Sequence, residues 1–111
     1  EAKILFDADK LDVTGAIGIA RTLMYRADAR EPLYTLLPDG TVSDGSGDVP
    51  DSFFHEYRFK LEKIYDRFYT EKGRQMAAER RQAAENYYRS LYAEICSAYT
   101  SGRDALEKEI L

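Results

Sequence analysis

Apolar residues recur along this chain three and four apart, with one long interruption. Ile4, Ala8 and Leu11 follow that rhythm and predict a first helix over residues 2–12. A second is expected over 14–26, TGAIGIARTLMYR, with Thr14 as its cap and residues 12–14 as the joint. The rhythm then stops. Residues 27–51 hold all three prolines and the turn-like stretches PDG and SDG, which predict a long loop. Within it LYTLL and TVS flank Pro38, Asp39 and Gly40 and are placed to form a short hairpin. Loops of this length inside a compact domain often cover a functional site.

From Ser52 the helical rhythm returns through Tyr57, Leu61, Ile64, Tyr65 and Phe68. Thr70 offers a cap to a long helix whose stripe runs through Ala84, Tyr88, Leu91, Ile95 and Tyr99, with Glu85 and Arg89 paired on its outer face. SGRD, residues 101–104, has the spacing of a capping box and predicts a short last helix. The sum is an all-α single domain over residues 1–111, four to five helices with one long loop.

Composition narrows the classes. Hydrophobic residues at 44% and charged ones at 32% suit a soluble folded domain. No apolar run approaches the roughly 20 residues that a membrane helix needs. A net charge of −4 argues against general affinity for a nucleic acid polymer, whose phosphates attract basic surfaces. Cys96 is the only cysteine and reads as a small buried residue, so a reducing, cytoplasmic setting is expected. The chain opens on Glu1 with no signal or transit pattern, and is expected to be a piece of something longer.

The stretch ILFDADKLD holds three aspartates. At about 100° per residue, Ile4, Ala8, Leu11 and Leu5 form an apolar arc, with Asp12 inside it and Asp9 just beyond Leu5. Asp7 falls on the other side, beside Lys3 and Lys10, and is expected on a solvated face. Asp9 and Asp12 stand one turn apart and repel unless a cation, a proton or hydrogen-bond donors lie between them. A bound metal ion answers this; so does a plainer arrangement, with Asp12 capping the next helix and Asp9 paired to a distant base.

DADKLD followed at once by GAIGIARTLMY resembles the small bacterial HD-superfamily phosphohydrolases. The resemblance continues through EPLYTL, FFHEYRFKLEKIYDRFYTEKGRQMAAER and YRSLYAEI, over residues 1 to about 95. It implies an all-α fold holding a divalent ion (Mn, Fe, Mg or Ni) through a histidine, an adjacent His–Asp pair and a distant aspartate. Such a metal lowers the pKa of its bound water and polarises a phosphoryl oxygen, for hydrolysis of phosphate esters or anhydrides, nucleotides above all. In that pattern the distant aspartate is Asp9, with Asp12 beside it shaping the site or touching substrate. The chain has no HD pair, and its one histidine lies downstream of Asp9. The resemblance therefore covers the C-terminal half of the family domain, and this chain alone is expected to be inactive, with no catalytic residue of its own.

Further candidates carry two readings each. Arg21 stands on a stripe with Thr14, Gly18 and Tyr25 and reaches either a substrate phosphate or an ordinary ion-pair partner. His55 is a surface or capping histidine by position, and a substrate contact by resemblance. Lys60 either contacts substrate or pairs with Glu56 four residues before it. Tyr87, Tyr88, Tyr92 and Tyr99 read as core and interface packing, and SDGSGD as a turn cluster. A different class of function, a helical module that binds a partner or a second copy through its tyrosine-rich stripe, predicts an oligomer independent of metal.

Overall fold

The computed structural model describes residues 1–98 and 108–109; the capping box expected at 101–104 to open a last helix, and Tyr99, lie outside the described residues. Helix α1 spans Ala2–Leu11 and α2 Gly15–Asp28; after the long loop come α3, Phe53–Phe59, a 3-10 helix, Leu61–Asp66, and α4, Glu71–Cys96. The described residues are all-α, with no strand. The expected hairpin shrinks to one antiparallel bridge, Leu36 to Val42. Asp39 bends the chain there, its Oδ1 accepting from the Thr41 amide at 3.0 Å, and no longer ladder forms to extend the pairing.

The helix expected from Ser52 starts on time: Ser52 accepts a hydrogen bond from the His55 amide at 3.0 Å, an N-cap. It does not run on as one helix. The α-helix ends at Lys60, and the chain tightens into the 3-10 helix that follows. The 3-10 helix brings the Tyr65 hydroxyl to accept from the Gly15 amide at 2.9 Å. That bond caps α2, because the expected cap, Thr14, turns its own hydroxyl back to donate to the Leu11 carbonyl at 2.7 Å.

Helix α4 is the spine, packing against α1, α2 and the 3-10 helix. Thr70 caps it as expected, accepting from the Gly73 amide at 2.9 Å. Its buried positions, Gly73, Ala77 and Ala84, are small and let neighbouring helices approach closely. Beyond them Tyr88 stacks on Tyr57 at 4.3 Å and meets Phe54 edge-on at 5.4 Å. Burial pushes the Tyr57 phenol up to about 12, so it stays neutral in this cluster. The outer ion pair on α4 is Arg81 with Glu85, at 3.2 Å, rather than Glu85 with Arg89.

The α1–α2 joint is tight. A Cβ at Gly18 would stand 2.3 Å from the Val13 carbonyl carbon. Helix propensity alone favours alanine there by about 1 kcal/mol. Against that clash, Gly18→Ala is expected to lower stability by roughly 2 kcal/mol in urea denaturation. A gain in stability would mean that the joint is looser than this.

Candidate functional site: an acidic helix face and two clefts

The three aspartates of α1 take the opposite roles from those the apolar arc suggests. Asp7 is the buried one, 3% exposed. Its Oδ1 accepts from the Tyr69 amide at 2.8 Å, and its Oδ2 from the Thr70 amide and hydroxyl at 2.7 and 2.6 Å. It therefore clamps α1 onto the start of α4, where helix amides lack intrahelical partners. Gly73 makes room for it, since a Cβ there would stand 2.6 Å from Asp7 Oδ2. Burial pushes the Asp7 carboxyl up, but the bonds from Thr70 and Tyr69, with Lys10 nearby, outweigh it and hold the group below the usual carboxylate range.

Asp9 and Asp12 are exposed, and so are Ile4 and Leu5 of the supposed inner arc, at 62% and 68%. The reason is physical: Tyr69 and Thr70, just ahead of α4, offer donors beside its apolar surface, and α1 turns Asp7 toward them. Lys10 does not pair with Asp7 on a solvated face; it donates to the Arg67 carbonyl and lies 3.8 Å from the Phe6 ring centroid. The plainer arrangement for Asp9 and Asp12 is not realised either. Among the described residues neither carboxylate has an ion pair or side-chain hydrogen bond, and the residue at the N-cap of α2 is Thr14. Two bare carboxylates share one face.

Those two do not make a metal centre by themselves. Among the described residues no three His, Cys, Asp or Glu side chains gather closely enough to hold an ion. The chain offers Asp9, with Asp12 one turn away, as part of a donor set and no more. Arg21 is likewise exposed, without an ion pair among the described residues.

Two clefts flank the bend between α3 and the 3-10 helix, and they part His55 from Lys60. The first, about 440 Å³, is lined by the loop Gly45–Gly47, His55, Arg58, Lys63 and Arg81. There the His55 ring donates from Nδ1 to the Gly45 carbonyl at 3.0 Å and stacks on Phe59 at 5.5 Å. The second, about 480 Å³, has an apolar wall including Val13, Leu61 and Ile64, and the cations Lys60, Lys63 and Arg67. Lys60 stands 3.8 Å from Glu56, the pairing its spacing suggested. Glu56 also accepts from the half-buried Arg26 at 2.6 Å, so its charge is divided between two cations. Phe59 and Lys63 line both clefts and form the ridge between them. Val13 brings the second cleft to the end of α1, next in sequence to Asp12.

Lys63, Arg67 and Arg81 were not singled out from sequence. The first two had a signal: with Lys60 they recur three and four apart, one cationic stripe if read as a helix. Arg81 had none, because only the packing of α4 brings it to the first cleft.

The chain matches no family profile. Over 95 residues it is 32% identical to the uncharacterized protein YpgQ of Bacillus subtilis, a match covering 86% of this chain and 40% of YpgQ. The chain thus spans about two fifths of the length of this curated relative. The crystal structure of YpgQ superposes with a TM-score of 0.69 at 31% identity, over 84% of this chain and 43% of YpgQ. The crystal structure of YpgQ in complex with ADP gives a TM-score of 0.68 at 31% identity, over 84% and 44%. A protein of Lactobacillus plantarum gives 0.67 at 27% identity, over 83% of this chain and 45% of its own. Among the described residues no helix is long and apolar enough to cross a membrane.

Proposed function

We propose that this chain is part of an HD-type metal-dependent phosphohydrolase of the cytoplasm, acting on phosphate esters or anhydrides and on nucleotides first among them. Asp9 gives one carboxylate to a divalent Mn, Fe, Mg or Ni ion, and Asp12 shapes the site beside it. The remaining ligands come from outside the described residues, and the chain alone does not turn over.

One observation carries this reading. Asp9 and Asp12 stand one turn apart, exposed and without an ion-pair partner among the described residues, while the neighbouring Asp7 is fully engaged in the fold. A carboxylate pair without a partner among the described residues is open to a cation. The second cleft supports the nucleotide: an apolar wall suits a base or sugar, and Lys60 and Arg67 suit phosphates. A relative of this chain has been solved with ADP. Arg21 and His55 lie outside this cleft, and Lys60 is the one of the three that lines it.

The test uses a chimera in which this chain replaces the matched segment of YpgQ. Mn2+ binding by that chimera, followed by electron paramagnetic resonance, is expected to weaken more than about 100-fold on Asp9→Ala, beyond the loss typical of an outer-shell change. Unaltered Mn2+ affinity would remove Asp9 from the metal.

A second reading, a helical interaction module, draws on the exposed Ile4, Leu5, Ile17, Met24 and Tyr25. It predicts an oligomer whose size is the same with and without a chelator. A monomer in light scattering would count against it.

A further inference from the structure

We propose that the first cleft binds a protonated phosphate group, inorganic phosphate or a phosphate monoester, at a site separate from Asp9 and from the second cleft. This holds whether or not Asp9 ligates a metal.

Three cations from three elements meet at this cleft: Arg58 of α3, Lys63 of the 3-10 helix and Arg81 of α4. Arg58 is largely committed, to Asp44 at 3.3 Å and Glu62 at 2.9 Å. Arg81 gives only its Nε, to Glu85 at 3.2 Å, while its guanidinium lies 5.6 Å from the Tyr65 ring centroid. Its terminal nitrogens have no acceptor among the described residues. Lys63 has no carboxylate within ion-pair reach among the described residues, and its Nζ is 5.7 Å from the Phe59 ring centroid. These free donors suit phosphate oxygens.

The loop adds a backbone donor. Gly45 and Gly47 have φ of +91° and +78°. The amides of Gly45 and Ser46 are taken by Ser43 Oγ and Asp44 Oδ1, whereas the Gly47 amide has no acceptor among the described residues. Among the described residues, none but its chain neighbours comes within 4 Å of where a Gly47 Cβ would stand, so the backbone there is open to approach.

The acceptors on the same walls choose the anion. The Nδ1 of His55 is taken by the Gly45 carbonyl, so the acceptors that matter are carboxylates. Asp66 stands on the rim without a partner among the described residues, and Glu62 keeps an oxygen beyond its pairing with Arg58. An anion with no proton meets these lone pairs as repulsion. Hydrogen phosphate or a monoprotonated monoester donates its P–OH to one of them while its bare oxygens take the cations. The mixed lining therefore favours phosphate over sulfate.

The 111-residue chain is titrated at pH 6.5, in about 0.15 M salt to screen loose attraction, with inorganic phosphate, AMP and sulfate in turn. Two-dimensional NMR follows the backbone amides. Saturable shifts centred on Gly47, Lys63 and Arg81 are expected with phosphate, with AMP, or with both, which separates a free phosphate from a nucleotide-borne one. Sulfate is expected at least about fivefold weaker. Lys63→Gln and Arg81→Gln are each expected to weaken phosphate about fivefold, with Lys72→Gln as a control of equal charge change that does not. Sulfate binding as well as phosphate, shifts centred instead on Lys60 and Arg67, or no saturable binding would overturn the proposal.

Discussion

Replacing Phe54 by alanine is expected to cost about 4 kcal/mol of stability, the largest loss from any single truncation in this core. Phe54 is fully buried, and four rings surround it: Phe53 at 6.1 Å, Tyr34 at 6.3 Å, Tyr88 at 5.4 Å and Tyr92 at 5.8 Å. Those rings come from the loop, from α3 itself and from α4, so the void left behind has walls on separate elements that cannot all close on it. The Phe54 carbonyl is also where Gly45 makes its closest approach, so the loop bearing the first cleft should loosen too. Urea denaturation reads the loss directly. A change under about 1 kcal/mol would mean that the aromatic cluster repacks and is not the centre of the fold.

Asp7→Ala is expected to lower the melting temperature by roughly 10 °C. Two amides and a hydroxyl lose their acceptor at once, at the point where α1 meets the start of α4. The same carboxylate makes stability depend on pH. Its folded pKa lies below the unfolded value of about 3.9, so its contribution is complete above that value and is lost as pH falls through the folded one. Asp44, held low by Ser46, and Asp39, held low by Thr41, act in the same direction. The melting temperature should be level above about pH 5 and fall below about pH 4, with a shallower fall in Asp7→Ala. Equal acid sensitivity of variant and parent would mean that the clamp does not bear the titration.

Helix periodicity located α1, α2 and α4 to within a few residues, because each keeps the three-and-four rhythm and ends at a turn signal. It did not locate the break at Lys60. Tyr57, Leu61, Ile64 and Phe68 fit a straight helix equally well, and the contact made after the break, Tyr65 to Gly15, joins positions 50 apart that no local pattern links. The aspartates show the same limit. An apolar arc states which side of α1 is greasy, but the side that is buried follows what it meets, the donors of Tyr69 and Thr70 just ahead of α4. Asp7 was legible only through Thr70, 63 positions on. The candidate site was less legible: Asp9 and Asp12, set by the arc beside apolar neighbours, are exposed with them, and His55 and Lys60 fall on opposite sides of a ridge that no local pattern marks.

Phosphate release is the most direct measurement of whether Asp9 serves a metal-dependent phosphohydrolase. ADP and other nucleotides are incubated with Mn2+ and either this chain alone or the YpgQ chimera that carries it. The chain alone is predicted to release nothing above the metal blank, and the chimera to release phosphate in an Mn2+-dependent reaction that Asp9→Ala abolishes. Metal-dependent release that Asp9→Ala leaves unaltered, in either protein, would contradict the account.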